Sequence, residues 1–167
     1  MSETSDYPRY LQCQNRPKLS QESFSDDSRF YRGFCRDDVD EDGLLKVETL
    51  QAPDLSCNWA DHSEPADVRY RERGEPTDGC YSFSLRDVRH DNLANAVHDP
   101  LCDCPVENYS HCELRTLKSD EDITYEPEKR RKHSKSATQK KRRLNWRINL
   151  RNALVVELKP TDSTDSV

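Results

Sequence analysis

Apolar residues fall in short bursts between charged or Gly/Pro-marked stretches, a pattern that predicts strands more than long amphipathic helices. In 80–88, CYSFSLRDV, Tyr81, Phe83 and Leu85 alternate with Ser82, Ser84 and Arg86, as on a strand with one buried face. The aromatic-rich 29–36, RFYRGFCR, predicts a second strand. Residues 44–50, LLKVETL, place Leu45, Val47 and Thr49 on one face of a returning strand. A further strand is predicted over 109–117, YSHCELRTL, with its core face left open by the pattern.

The best-marked helix is 64–73, with Ser63 as predicted N-cap and Pro65 in the first turn. Glu64 and Asp67 lie at its positive end, Arg71 and Arg73 at its negative end, and Gly74 follows as a C′ residue. A short helix is predicted over 91–97, ending before His98-Asp99-Pro100. In 142–158, Leu144, Trp146, Ile148, Leu150 and Leu154 fall at helical spacings, and the closing ALVVEL reads as helix end or strand.

The fold class expected is α+β: a small single domain of short antiparallel strands and few helices, with a polar N-terminal arm and a basic C-terminal segment. The organisation predicted is a mobile polar arm at 1–28 and an acidic α+β body at 29–118. An acidic-then-basic linker follows at 119–143, ordered only when bound. Residues 144–160 are expected as a helix or helix–strand unit packed on the body, and 161–167 as a tail.

Composition limits the core. Of 167 residues, 30 are Leu, Ile, Val or Phe, so little apolar area offsets the ordering entropy and stability is expected to be modest. No apolar run approaches the roughly 20 residues that span a bilayer, and MSETSDYPRY lacks the basic and apolar regions of a secretory signal. A cytoplasmic protein is expected, nuclear in a eukaryotic host, with no membrane partner. The seven cysteines, an odd number in a reducing compartment, are expected as thiols.

Charge is split along the chain. Residues 128–151 hold eleven Lys or Arg and one acid, about +10, while 1–127 hold 14 Lys/Arg against 28 Asp/Glu, about −14. Lys129, Arg130, Arg131 and Lys132 form one basic cluster and Lys140, Lys141, Arg142 and Arg143 a second. Phosphate backbones are the densest common anion, and Trp146 just downstream is placed to stack on a base. The two clusters also resemble a bipartite nuclear localisation signal. An acidic partner protein, or the acidic body itself, would be held by the same charges.

Two metal patterns are present. Asp38-x-Asp40-x-Asp42-Gly43 matches the first half of a calcium loop, but Thr49 stands where the bidentate Glu is required, and an Asp-Gly turn explains the same residues. His98, Cys102, Cys104, His111 and Cys112 offer zinc-type ligands without a CxxC pair, and buried thiols are the competing explanation.

On the strand 109–115, His111, Glu113 and Arg115 share a face. Pairing with 80–88 would bring Ser82, Ser84 and Arg86 beside them, with His98 approaching from the preceding loop, a set suited to acid–base work on a phosphate. There is no glycine-rich phosphate loop, G-x-S-x-G or H-E-x-x-H. The function expected is therefore a non-enzymatic binding or regulatory protein. Its acidic body would contact another protein, and its basic segment a nucleic acid or an acidic partner. The alternatives are a small phosphate-directed hydrolase or transferase using His98, His111 and Glu113, and a zinc-binding module.

Overall fold

The computed structural model describes residues 7–13, 16, 24–51, 54–70, 74–103, 106–117 and 136–161. Six strands form one antiparallel sheet: β1 (Arg29–Phe34), β2 (Asp54–Trp59), β3 (Gly79–Ser84), β4 (Ala94–His98), β5 (His111–Thr116) and β6 (Val155–Leu158), in the order β4-β5-β2-β1-β3-β6. Two α-helices accompany it, α1 (Leu85–Val88) and α2 (Ala137–Ala153). This is a small α+β domain, as the alternating pattern implied.

Register assigns the faces. Phe30 opposes Phe83 and Trp59, Cys57 opposes Cys112, and Leu55 opposes Leu114. Together with Tyr81, Ala94 and Ala96 these residues make one apolar face, continuous with Leu85, Val88, Trp146 and Leu150 of the helices. Cys112 and Leu114, two residues apart, thus share the core side of β5. The opposite face is polar.

Several predicted elements take another form. Strand β3 stops at Ser84, because Ser84 and Asp87 build a capping box: Ser84 Oγ accepts from the Asp87 amide at 3.2 Å, and Asp87 Oδ2 accepts from the Ser84 amide at 2.9 Å. Residues 44–50 contribute only a Val39–Leu45 bridge and a 3-10 turn, Val47–Thr49, so no returning strand forms. The predicted helix 64–73 is a 3-10 segment, Pro65–Arg69, capped by Glu64, while Ser63 Oγ donates back to the Trp59 carbonyl. Residues 71–73 lie outside the described residues.

In place of a helix over 91–97 there is a 3-10 turn, His90–Asn92, and then β4. Burial of Ala94 and Ala96 against β5 overrides their helical preference.

The predicted linker also shortens. Ser136 caps α2, accepting from the Gln139 amide at 3.2 Å, so 137–143 are helical. The helix must carry the chain from β5 to the far edge, where β6 pairs with β3. Four strand spacings amount to about 19 Å, and a helix of 17 residues extends about 25 Å. Trp146 is 1% exposed and Leu150 fully buried, and these two seat the helix on the core face. The indole Nε1–H donates to the Val88 carbonyl at 3.0 Å, tying α2 to the end of α1.

Trp146→Ala is expected to destabilise the fold by about 3–5 kcal/mol through the cavity and the lost hydrogen bond. Urea unfolding of both proteins, compared at unchanged m, checks this; a loss under 1 kcal/mol would place the indole outside the core.

Candidate functional site

The second basic cluster lies on α2. At 100° per residue, Lys140, Arg143, Arg147 and Arg151 succeed one another at spacings of three, four and four. They form a row on one flank of the Trp146–Leu150 seam. The row is about 16 Å long. Among the described residues, Lys140, Lys141, Arg142, Arg147 and Arg151 make no ion pair. The Nε atoms of Arg142, Arg147 and Arg151 are shielded from solvent and donate to nothing. All three arginines are half-buried, whereas Lys140 and Lys141 are exposed.

The cations of the body differ. Arg86 reaches Asp27 at 2.8 Å, Arg89 reaches Asp26 at 2.8 Å, Arg69 donates to the Asp78 carbonyl at 2.9 Å, and Arg29 pairs with Glu157 at 3.7 Å. Trp146, expected to stack on a base, is instead a core residue. Its i, i+4 relation to Leu150 was the signal for that. Lys129, Arg130, Arg131 and Lys132 lie outside the described residues.

The polar sheet face holds the other candidates. Strand β5 pairs with β2 and β4, with β2 and β1 between it and β3. Ser82, Ser84 and Arg86 are therefore not beside His111: Ser82 binds Arg29 and Glu157, Ser84 caps α1, and Arg86 holds Asp27. The neighbours come from β2, where Ser56 opposes Glu113, Asn58 opposes His111 and Asp54 opposes Arg115. The alternation of Leu55, Cys57 and Trp59 with Asp54, Ser56 and Asn58 could have revealed this strand and its polar side.

Ser56 Oγ donates to Glu113 Oε1 at 2.9 Å, and His111 Nε2 lies 3.4 Å from the same oxygen. His111 Nδ1 donates to the Asp99 carbonyl at 2.6 Å. Arg115 sits 3.4 Å from Asp54 and 3.9 Å from Asp99. Strands β1 and β2 pair over two positions only, and in the gap beyond them Arg32 Nη1 donates to the Ser56 carbonyl at 2.5 Å. A depression of about 460 Å³ opens there, lined by Arg32, Gln51, Asp54, Ser56, Asp99, Glu113 and Arg115.

Burial pushes the Glu113 carboxyl up, but hydrogen bonds from His111 and Ser56 and the charges of His111 and Arg115 outweigh it and hold the group below its ordinary value. The chemistry that follows is limited. Ser56 donates to a carboxylate rather than to an imidazole, and both nitrogens of His111 are engaged. Neither side chain is set up as a nucleophile–base pair. His98 lies on the opposite face, edge-on to Trp59 at 5.4 Å and Tyr109 at 5.0 Å, with Nε2 donating to the Tyr109 carbonyl at 2.6 Å.

The described cysteines do not assemble a zinc set. Cys102, expected as a thiol, is bonded to Cys13, with Cα atoms 5.4 Å apart. Cys112 points into the core, its Sγ donating to the Ser110 carbonyl at 3.5 Å, and burial raises its thiol well above the ordinary value. As strand neighbours, His111 and Cys112 face opposite sides. Cys104 lies outside the described residues.

In the acidic turn, Asp38 Oδ2 accepts from the Cys35 amide at 2.8 Å, and Asp40 Oδ1 accepts from the Asp42 and Leu44 amides at 3.0 and 2.9 Å. Gly43, at φ 79°, completes the turn, and Asp42 remains exposed. These carboxylates bind their own backbone as turn residues do. Among the described residues no three His, Cys, Asp or Glu side chains converge on one point.

Comparison with protein-family models, curated proteins and solved structures finds no match. The local geometry of Glu113 is directly testable. Its folded-state pKa lies below the unfolded value, so its contribution is complete above the ordinary value of 4.5 and is lost as pH falls through the depressed value. Glu113→Gln should flatten the acid limb of stability between about pH 5 and 3. Urea midpoints across that range check it; parallel acid limbs would show that the group is not held ionised by the fold.

Proposed function

We propose that the protein is a non-enzymatic binding protein that engages a nucleic-acid backbone through the basic flank of α2. The observation that carries this is the row Lys140, Arg143, Arg147 and Arg151 beside a buried seam, with no ion pair from Lys140, Arg147 or Arg151 to another described residue. Like charges in a row repel one another, and an anion of matching length removes that repulsion and releases its own counterions. Because Trp146 is committed to the core, the interface is a backbone contact without base stacking. It reads charge and spacing, and sequence enters weakly.

The acidic body, with Asp26, Asp27, Glu41 and Asp42 exposed, is in this reading the surface for a protein partner. A site of action in the cytoplasm or nucleus agrees with a nucleic-acid ligand. No helix among the described residues is long and apolar enough to cross a membrane.

A phosphate-directed hydrolase using His111 and Glu113 is the weaker reading. A general base works best with a pKa near the working pH, whereas Glu113 is held low and His111 is tied at both nitrogens. The zinc-module reading loses Cys102 to the disulfide and Cys112 to the core.

Fluorescence anisotropy of the full chain with labelled duplex DNA and with single-stranded RNA tests the proposal. With about four phosphate contacts, affinity should fall on the order of a hundredfold between 50 and 200 mM salt. Arg147→Ala and Arg151→Ala should each reduce the salt slope by about 1. Affinity that stays flat with salt, or variants with an unchanged slope, would remove the nucleic-acid reading and leave an acidic protein as the occupant of α2.

A further inference from the structure

Residues 7–13 and 16 form a strap held against the sheet by separate contacts. Leu11 is fully buried, and its carbonyl accepts from the Tyr109 amide at 2.7 Å. Tyr10 donates to Asp67 at 2.8 Å, and Tyr7 packs edge-on to Tyr70 at 5.6 Å. The Cys13 amide donates to Glu107 at 2.8 Å, and the Arg16 guanidinium lies 4.3 Å over the Tyr109 ring. Tyr109, which Leu11 and Arg16 contact, belongs to a ring cluster with Trp59, His62 and His98. The strap has one covalent tie to the rest of the fold, the disulfide from Cys13 to Cys102. The next described anchor along the chain is Phe24, edge-on to Trp59 at 4.7 Å.

We propose that the Cys13–Cys102 disulfide is a redox-operated clasp, closed when oxidised and opened by a dithiol reductant, and that opening frees the strap and uncovers the ring cluster. Three features support this.

Both sulfurs belong to half-buried residues, within reach of an external thiolate. The other described cysteines are poor exchange partners: Cys57, Cys80 and Cys112 are buried, with thiols raised by that burial, and the exposed Cys35 is raised as well. A thiol that stays protonated does not attack a disulfide, so none of these four competes for the clasp. Lastly, every other described contact of the strap is non-covalent, a buried Leu11, single hydrogen bonds and ring contacts, so the disulfide is the tie that a change of redox state can remove.

The chemistry balances. One thiolate of the dithiol attacks a clasp sulfur and forms a mixed disulfide. The second thiol then displaces it, leaving Cys13 and Cys102 as thiols and the reductant as its own disulfide, two electrons in all. The consequence reaches the polar face, because Cys102 lies three residues beyond Asp99, whose carbonyl receives His111.

Hydrogen exchange on the full chain, purified without reductant and then treated with dithiothreitol, tests the clasp. Alkylation under denaturing conditions should count two fewer free thiols before treatment than after. On reduction, the Tyr109 amide should exchange at least tenfold faster and trypsin should cut after Arg9, while amides of β2 and β5 such as Cys57 and Cys112 keep their protection. Cys13→Ser should behave as the reduced protein without any treatment. An equal thiol count before and after reduction would overturn the proposal. So would unchanged Tyr109 exchange, or a loss of protection throughout the sheet, which would make the bond a plain structural staple. Should Cys13→Ser fail to fold, the reduced wild-type chain still decides between these outcomes.

Discussion

The seating of Trp146 is the constraint on which the rest depends. The indole is the largest fully buried side chain of the core, and its N–H has one acceptor, the Val88 carbonyl. Together with Leu150 it fixes the rotation of α2 about its axis. A turn of one residue, 100°, would push Arg147 toward the apolar face, and a buried unpaired guanidinium is costly. The direction of the basic flank is thus set by an apolar contact. The same seat delivers the chain to β6. There the closing residues pass so close to β3 that a Cβ on Gly79 would lie 2.7 Å from the Leu158 carbonyl and the Pro160 ring, so the chain can leave β6 along this path only because position 79 has no side chain.

On the far side of the sheet, a short ladder has the opposite effect. Strand β2 pairs with β5 over five positions but with β1 over two, and the resulting gap is filled by Arg32 and rimmed by charge. Each charge there has a neighbour of opposite sign or a hydrogen bond: Arg115 between Asp54 and Asp99, Glu113 between Ser56 and His111. Such a network fixes side chains in place. It leaves His111 with no free nitrogen, and this is why a face carrying Ser, His and Glu does not amount to a catalytic triad.

The parts of this fold legible from sequence were those with strict alternation. Tyr81 and Phe83 on β3 and the aromatic run of β1 declare their faces within the strand itself. Strand β4 was not legible, because Ala94 and Ala96 become strand residues only by packing on β5, a contact more distant than any local window. The end of β3 was readable in principle from Ser84-x-x-Asp87, but the capping signal sits inside an apolar alternation that continues through Leu85. Trp146 was misread because charge density around it suggested exposure, whereas one indole and one Leu at i, i+4 suffice to bury a helix that is otherwise polar. The polar site was half visible: His111, Glu113 and Arg115 were seen on one face, but their partners Ser56 and Asp54 depend on strand order, which alternation does not encode.

The charge split acquires a different meaning once the carboxylates are placed. A body of about −14 beside a segment of about +10 suggests that the two neutralise each other. Many of the carboxylates are already committed locally. Asp38, Asp67, Asp78 and Asp87 each accept a backbone amide three residues earlier, Asp40 accepts two amides in its turn, and Asp26, Asp27, Asp54 and Asp99 face arginines of the body itself. An aspartate that caps a turn keeps its charge but has spent its geometry, since moving it toward α2 would strand an N–H. The cations of α2 are held by their own helix, whose rotation the indole fixes. Neither side can travel to the other without losing a contact worth about 1 kcal/mol or more, and closing a surface ion pair returns about 0–1 kcal/mol. The balance favours leaving Lys140, Arg147 and Arg151 without an ion pair to the described aspartates of the body, each of which keeps the turn or arginine it already holds.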